Sequence, residues 1–238
     1  MRFNKLFSMN TCLLCHMPSD YVQDLCLDCE TMLPWLGNSC KQCALPLPAE
    51  SDSSYCGNCL VRSQTKHQGP VQQAQALFIY TTPVDYLIQA LKFGHRLSIA
   101  QVLGRLMADR IYSDYCQQQS YPDIIMPVPL HPLRLRERGF NQALELARPI
   151  SKVLKVSLNH THCKRIRATL PQTGLSAVER EKNLKGAFSI QYPLYKQHVC
   201  IVDDVMTTGQ TIRALSDILK QQGAARIDTW CCARTVEA

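Results

Sequence analysis

The segment Val199-Cys-Ile-Val-Asp-Asp-Val-Met-Thr-Thr-Gly-Gln-Thr-Ile212 sets two adjacent carboxylates directly after an apolar run and follows them with hydroxyls and a glycine. Val199 to Val202 read as a central parallel strand, so Asp203 and Asp204 fall at its carboxyl end, where open α/β sheets bind ligands. Ile212, Leu215, Ile218 and Leu219 then recur at helical spacing, with Gly223 as the stop. Between strand and helix, Thr207, Thr208 and Thr211 bring hydroxyls to a helix start whose free N–H groups favour an anion. Gly209 lets the backbone approach a bound group closely. The carboxylates would repel a phosphate there unless they face another part of the same ligand. A sugar phosphate meets both demands, its hydroxyls donating to the carboxylates while its phosphate sits in the loop. No Gly-Lys-Ser/Thr follows, which excludes a Walker-type loop. The plain alternative is a threonine-capped helix with two solvated aspartates.

A second chemistry is written in the first sixty residues. Of 13 cysteines, eight form four Cys-x-x-Cys pairs: Cys12/Cys15, Cys26/Cys29, Cys40/Cys43 and Cys56/Cys59. Two such knuckles close a tetrahedral zinc site, so eight thiolates suit two structural zincs with no position left open for catalysis. Sequential pairing needs only short loops, and a crossed arrangement stays open. A disulfide scaffold would need an oxidising compartment, and a thioredoxin-like redox pair a surrounding βαβ pattern. Cys116, Cys163, Cys200, Cys231 and Cys232 lack the spacing and read as buried or incidental.

The elements that must position these groups follow from periodicity. The polar stretch Arg62 to Gln75 contains Gly69-Pro70 and marks a boundary, dividing the chain into a head (1–62), a linker (63–75) and an α/β domain (76–238). Ala76 to Thr81 reads as a strand. Pro83 to Phe93 reads as a helix with Val84, Leu87, Ile88 and Leu91 on one face and Gly94 as its stop. A second helix is expected from about Ser98 to Tyr112, then a short strand from Asp123 that ends in a proline-bounded loop by Pro129. Asn141 caps a helix that Pro149 should kink or interrupt. Strands at Val199–Val202 and Arg226–Cys232 flank a helix reaching Gln222. Apolar strands alternating with helices predict a mostly parallel sheet covered on both faces.

A hydrophobic fraction of 46% with 19% charged residues suits a soluble globular chain. No apolar run approaches the ~20 residues of a membrane helix, and the start MRFNKLFSMN lacks a signal peptide's apolar stretch, so no membrane insertion and a cytoplasmic location are expected. Net charge is +7, and residues 131–186 hold 12 Lys/Arg against 4 Asp/Glu, so one segment accounts for the excess. Such a segment attracts polyanions, or else forms a solvated helix face. No aromatic-rich strand suggests a base-stacking platform; Phe140 and Phe188 read as core.

The Val199–Ile212 segment resembles the phosphoribosyl pyrophosphate motif of type I phosphoribosyltransferases. Pro127 to Gln142 and Gln172 to Phe188 are similar to stretches of the ComF/GntX family, and the cysteine-rich head resembles that family's double zinc ribbon. The likeness covers nearly the whole chain. It implies a type I phosphoribosyltransferase fold, a mostly parallel sheet flanked by helices, behind a small N-terminal double zinc ribbon. By that resemblance Asp203 and Asp204 bind ribose hydroxyls, while Thr207, Thr208, Gly209, Gln210 and Thr211 cradle the 5′-phosphate. Leu130, His131 and Arg138 occupy the pyrophosphate loop, with Arg134 and Arg136 as further charge. A lid between Thr169 and Asn183 carries Gln172, Arg180 and Asn183. Lys92-Phe93-Gly94 matches a family motif to which no role is assigned. Magnesium is implied with the pyrophosphate, and no catalytic residue or acceptor is identified. Three functions compete: phosphoribosyl transfer to an unknown acceptor, binding of single-stranded DNA on the same fold without turnover, and an adaptor role in which the zinc ribbon contacts another DNA-uptake protein.

Overall fold

The computed structural model describes residues 10–19, 24–64, 71–115, 121–168 and 186–236. In the head, β1 (Asn10–Thr11) pairs antiparallel with β2 (Pro18–Ser19), and α1 (Leu27–Thr31) and α2 (Gly57–Gln64) follow. The second module opens with β3 (Gln73–Ile79), α3 (Val84–Gly94) and α4 (Leu97–Tyr115). It continues through β4 (Ile124–Pro127), α5 (Pro132–Arg138), α6 (Gln142–Leu154) and β5 (Ser157–Leu158). The hairpin strands β6 (Cys163–Arg165) and β7 (Phe188–Ile190) precede β8 (His198–Met206), α7 (Gln210–Gln221) and β9 (Arg226–Arg234).

Five of these strands form one parallel sheet in the order β3-β9-β8-β4-β5. Because side chains alternate across a strand, Cys200 and Val202 join the buried cluster beneath α3, α4 and α6, whereas Val199 and Ile201 join the one beneath α7. Helices cover both faces, as the continuously apolar strands require. One register detail shapes everything above the sheet. β4 ends where Pro127 pairs with Val202, while β8 runs on beside β9 to Met206 opposite Arg234. Pro129 has no N–H to extend the β4 ladder. Past Val202, one edge of β8 is therefore open.

Several boundaries differ from the sequence reading. The polar segment 63–75 contains the end of α2 and the start of β3, because the alternation Gln73-Ala74-Gln75-Ala76 is itself strand-like and pairs with Asp228 to Cys231. α3 stops at His95, which takes the left-handed conformation at φ 53°, one residue beyond Gly94. The proline-bounded loop gives way to α5: Pro132 sits in its first turn, and Gly139 closes it at φ 76°. α6 runs unbroken through Pro149. Proline costs a helix one hydrogen bond, but Pro149 packs at the α4–α6 seam, where a Cβ on Gly104 would lie 3.0 Å from its ring and 2.6 Å from Leu146 O. Close packing at that seam keeps the helix whole. No helix among the described residues is long and apolar enough to cross a membrane.

The head is built onto the sheet's edge. Leu36 N donates to Leu77 O, Ile79 N to Pro34 O and Ala74 N to Lys41 O, at 2.9, 2.8 and 2.7 Å. The Trp35 and Phe78 rings meet at 4.8 Å. An exposed edge strand invites pairing with other chains, and this one is covered. Leu13, Leu25 and Leu33 of the head share a buried cluster with Phe78, Leu87 and Ile88, so the two modules have a common core.

The cysteines group sequentially, Cys12/Cys15/Cys26/Cys29 and Cys40/Cys43/Cys56/Cys59, with ligand atoms in each set within 4.8 Å of one another. Cys15 Sγ lies 3.7 Å from Cys26 Sγ, and Cys43 Sγ 3.6 Å from Cys56 Sγ. A tetrahedron with Zn–S near 2.3 Å has edges of about 3.8 Å, so both sets fit zinc and the crossed pairing is ruled out. Of the remaining cysteines, Cys163, Cys200, Cys231 and Cys232 are buried, and Cys116 lies outside the described residues.

Metal analysis of the full chain is expected to find about two zincs, one per four-thiolate set. Because the modules share a core, Cys26→Ser should lower the urea midpoint of the whole chain in one transition. A separate early transition confined to the head would show instead that the ribbon unfolds alone.

Candidate functional site

The open edge of β8 forms the floor of a cleft of ≈ 840 Å³. Asp203, Asp204, Thr207 and Thr211 line it from β8, the following loop and the first turn of α7, and Lys92, Phe93 and His95 from the end of α3. Leu130, Arg134, Glu137 and Arg138 come from the β4–α5 segment and α5, with Arg165 from β6. Seven expected residues, Leu130, Arg134, Arg138, Asp203, Asp204, Thr207 and Thr211, thus meet in one place. Thr208, Gly209 and Gln210 complete the turn beside it. Arg136 does not line the cleft. Nor does His131, whose Nδ1 accepts from Leu133 N at 3.3 Å and so caps α5. With Pro132 in the first turn, the residue before it serves as the N-cap, at the start of the segment that the resemblance gives to the pyrophosphate. Gln172, Arg180 and Asn183 lie outside the described residues.

The acid pair is held locally and from across the cleft. Asp203 Oδ1 accepts from Asp204 N at 2.9 Å, and Asp204 Oδ1 from Val205 N at 2.7 Å. Lys92 Nζ reaches Asp204 Oδ2 at 2.8 Å, with both side chains mostly enclosed. Burial would lower the Lys92 pKa, but the charge of Asp204 overrides it and raises the value above normal. Asp203 has no such ion pair among the described residues. Burial, then repulsion from Asp204, lifts its carboxyl from an ordinary 3.8 to about 7, against weaker opposing pulls that include Lys92 and Arg165. Burial also lowers Arg138 and Arg165, each beside Arg134.

The loop after the pair suits an oxyanion. Gly209 sits at φ 72° as the N-cap of α7, with no side chain capping the first turn. A Cβ there would meet only Met206 at 3.8 Å, so what demands glycine is the left-handed backbone and not lack of space. Thr208 Oγ1 is enclosed and has no hydrogen-bond partner among the described residues. Buried hydroxyls are normally paired, so an orphan at a helix start fits a missing phosphate oxygen.

Residues 4–60 match the double zinc ribbon domain, and residues 141–236 the phosphoribosyl transferase domain. The DNA utilization protein YhgH of Salmonella typhimurium is 36% identical over 227 residues, covering 94% of this chain and 97% of its own. The chain belongs to the ComF/GntX family. A second ComF/GntX relative, competence protein F of Haemophilus influenzae, is 35% identical over 188 residues, 76% of this chain and 79% of its own. Purine phosphoribosyltransferase from Pyrococcus horikoshii overlaps 54% of this chain and 70% of its own, at 19% identity and a TM-score of 0.33, too loose a likeness to bear on the site.

Sequence reasoning missed part of this ComF/GntX cleft. Lys92 was quoted in a motif without a role, and it lies more than a hundred residues from the carboxylate it neutralises. The signal available was the acid pair itself, since adjacent buried carboxylates require a cation. The aromatic wall was missed as well. Tyr80, Phe93 and His95 line the cleft, Phe93 is 71% exposed, and Arg138 lies over its ring at 5.4 Å. These residues come from a strand end and a helix end, so no aromatic run announces them.

Between about pH 4 and 7 the native state binds a proton at Asp203 that the unfolded state has released, so this group's contribution to stability falls as pH rises through that window. Carbon-detected NMR should show the Asp203 carboxyl titrating near 7. Lys92→Met should move it upward by removing an opposing charge. A midpoint that stays put would mean that Lys92 does not act on this carboxyl.

Proposed function

We propose that the cleft binds phosphoribosyl pyrophosphate with magnesium, and that the chain acts in DNA uptake or use as a phosphoribosyltransferase-type protein. One observation carries the reading: a carboxylate pair and an anion-favouring helix start, with an orphaned Thr208 hydroxyl, stand side by side on β8 and α7. In this reading Asp203 and Asp204 accept from the ribose hydroxyls, and ligand donors take over part of what Lys92 gives Asp204. Thr207, Thr208, Gly209, Gln210 and Thr211 hold the 5′-phosphate. Arg138 and Arg134, with the backbone at Leu130, face the pyrophosphate, where a guanidinium matches phosphate geometry. Gln172, Arg180 and Asn183 belong to the lid.

Magnesium fits this donor set as an ion carried on the diphosphate, since such ions keep waters and few protein carboxylates. When bound it would offset charge developing on the leaving pyrophosphate. The chain's own part in transfer is electrostatic: it fixes the ribose, holds the leaving group and keeps charge balanced as the anomeric carbon becomes oxocarbenium-like. The acceptor is a further ligand, for which the aromatic wall is the available surface.

Calorimetry with phosphoribosyl pyrophosphate and magnesium should show binding that strengthens as pH rises through about 7, where Asp203 ionises. Asp204→Ala should weaken it about tenfold or more, by loss of a charged hydrogen-bond acceptor. Gly209→Val should abolish it, because a β-branched residue resists the left-handed backbone. Undiminished binding in both variants would sink the site assignment.

Single-stranded DNA is a second ligand for the same mouth, favoured by Arg134, Arg138 and Arg165, which line the cleft together with exposed Phe93. Its affinity should fall with salt by a slope of about −0.7 per phosphate neutralised. Arg134→Gln with Arg136→Gln should make that slope shallower. A salt-independent affinity would return these charges to the pyrophosphate alone.

A further inference from the structure

Arg234 ends β9 and is 5% exposed. It does not line the cleft. Its Nε donates to Cys43 O at 2.9 Å. Its Nη1 lies within bonding distance of three more backbone carbonyls: Met206 at 3.1 Å, Thr207, and Thr235 at 2.6 Å. One guanidinium therefore joins a ligand-bearing residue of the second cysteine cluster to the first two residues of the turn that follows the acid pair. Ala44, the neighbour of Cys43, is fully buried in the same cluster as Met206, Ile212 and Cys231, so apolar packing reinforces the link.

The acceptors decide what this side chain does. All these carbonyls are main chain, so Arg234 fixes the path of the backbone. In a trans peptide the N–H points opposite to the C=O. Holding Met206 O and Thr207 O toward Arg234 turns the N–H groups of Thr207 and Thr208 the other way, toward the open side of the loop. Two amide donors are thereby set before any ligand arrives, and the Arg234 guanidinium lies behind them.

We propose that Arg234 is a positioning residue that sets the amides of the 5′-phosphate loop and makes that setting depend on the second cysteine cluster. The ribbon is then part of the phosphate site, although none of its residues reaches the ligand. This rests on the phosphoribosyl reading above for the identity of the ligand, but not for the link itself. Because coupling between two sites is reciprocal, a ligand in the loop should in turn hold the second cluster's metal more firmly.

The test compares the zinc-loaded full chain with Arg234→Lys and Arg234→Met, each first shown to keep the parent's zinc content. Ribose 5-phosphate probes the loop, and magnesium pyrophosphate probes the arginine side of the cleft. Arg234→Lys keeps the charge but loses the fork, and should bind ribose 5-phosphate about tenfold more weakly while pyrophosphate affinity stays within about twofold. Ribose 5-phosphate should slow zinc transfer to a chelator in the parent and not in the variant. Equal loss of both ligands would mark a general structural role and overturn the proposal, as would no loss of either. Where Arg234→Met fails to fold, Arg234→Lys decides. If the parent binds neither probe, the phosphoribosyl reading falls and a ligand-free measurement still decides the link. Amide hydrogen exchange in the segment 207–211 should then be faster in Arg234→Lys than in the parent, and equal rates would refute the link.

Discussion

The ion pair between Lys92 Nζ and Asp204 Oδ2, at 2.8 Å, is what lets this sheet carry two adjacent carboxylates at an enclosed strand end. Removing one partner from a buried pair costs about 3–5 kcal/mol, because the other charge is left unpaired. The pair therefore fixes where the end of α3 must lie. Val84, Leu87, Ile88 and Leu91 bury the apolar face of that helix, and its last turn then brings Lys92 over β8. Phe93 and His95 follow and become the wall of the cleft. A single electrostatic requirement thus places an aromatic surface beside the acids.

The cation can do this only because the sheet is uneven. β8 outlasts β4 by four residues past Val202, and the Pro127-Val128-Pro129 turn carries the neighbouring chain away from the ladder. At the other end of the sheet the unpaired side of β3 is filled by Pro34, Leu36 and Lys41 of the ribbon. One edge is left open as the floor of the cleft, and another is closed where an open edge would be a hazard. The metal clusters hold the closing segment in shape, since so few apolar residues could not do so unaided.

The parallel strands and their helices were legible because continuous apolar runs and a 3.6-residue stripe are local signals. The eight cysteines were legible for the same reason, as four short motifs. The acid pair and its loop were found because strand, carboxylates, hydroxyls and glycine lie within fourteen residues. What was not legible depends on contacts distant in sequence. Lys92 meets Asp204, Arg234 meets Cys43, and Arg165 meets the cleft only once the sheet order is known. Local competition explains the other misses. Pro132 and Gly139 make a short helix of what read as a loop, and Pro149 was expected to kink or interrupt α6, which the seam with Gly104 holds whole.

The opposite end of the sheet shows what a finished buried charge looks like in this protein. Asp228 is fully buried, and burial alone would raise its pKa. His198 Nε2 at 2.8 Å and Arg226 Nη2 at 2.9 Å reverse that and hold the carboxyl below its ordinary value. Its share of stability is present above the unfolded pKa and is lost only as pH falls through the depressed one. Asp203, half-buried at the other end of the same sheet, shows the opposite shift, and its cost appears as pH rises. The chain clearly can surround a buried aspartate with polar partners, and does so at the end of the sheet away from the cleft. At the cleft, among the described residues, Lys92 pairs with Asp204 alone, and Thr208 Oγ1 a few residues on has no hydrogen-bond partner. In the proposed reading the donors that complete this end come from the ligand, as hydroxyls beside a phosphate.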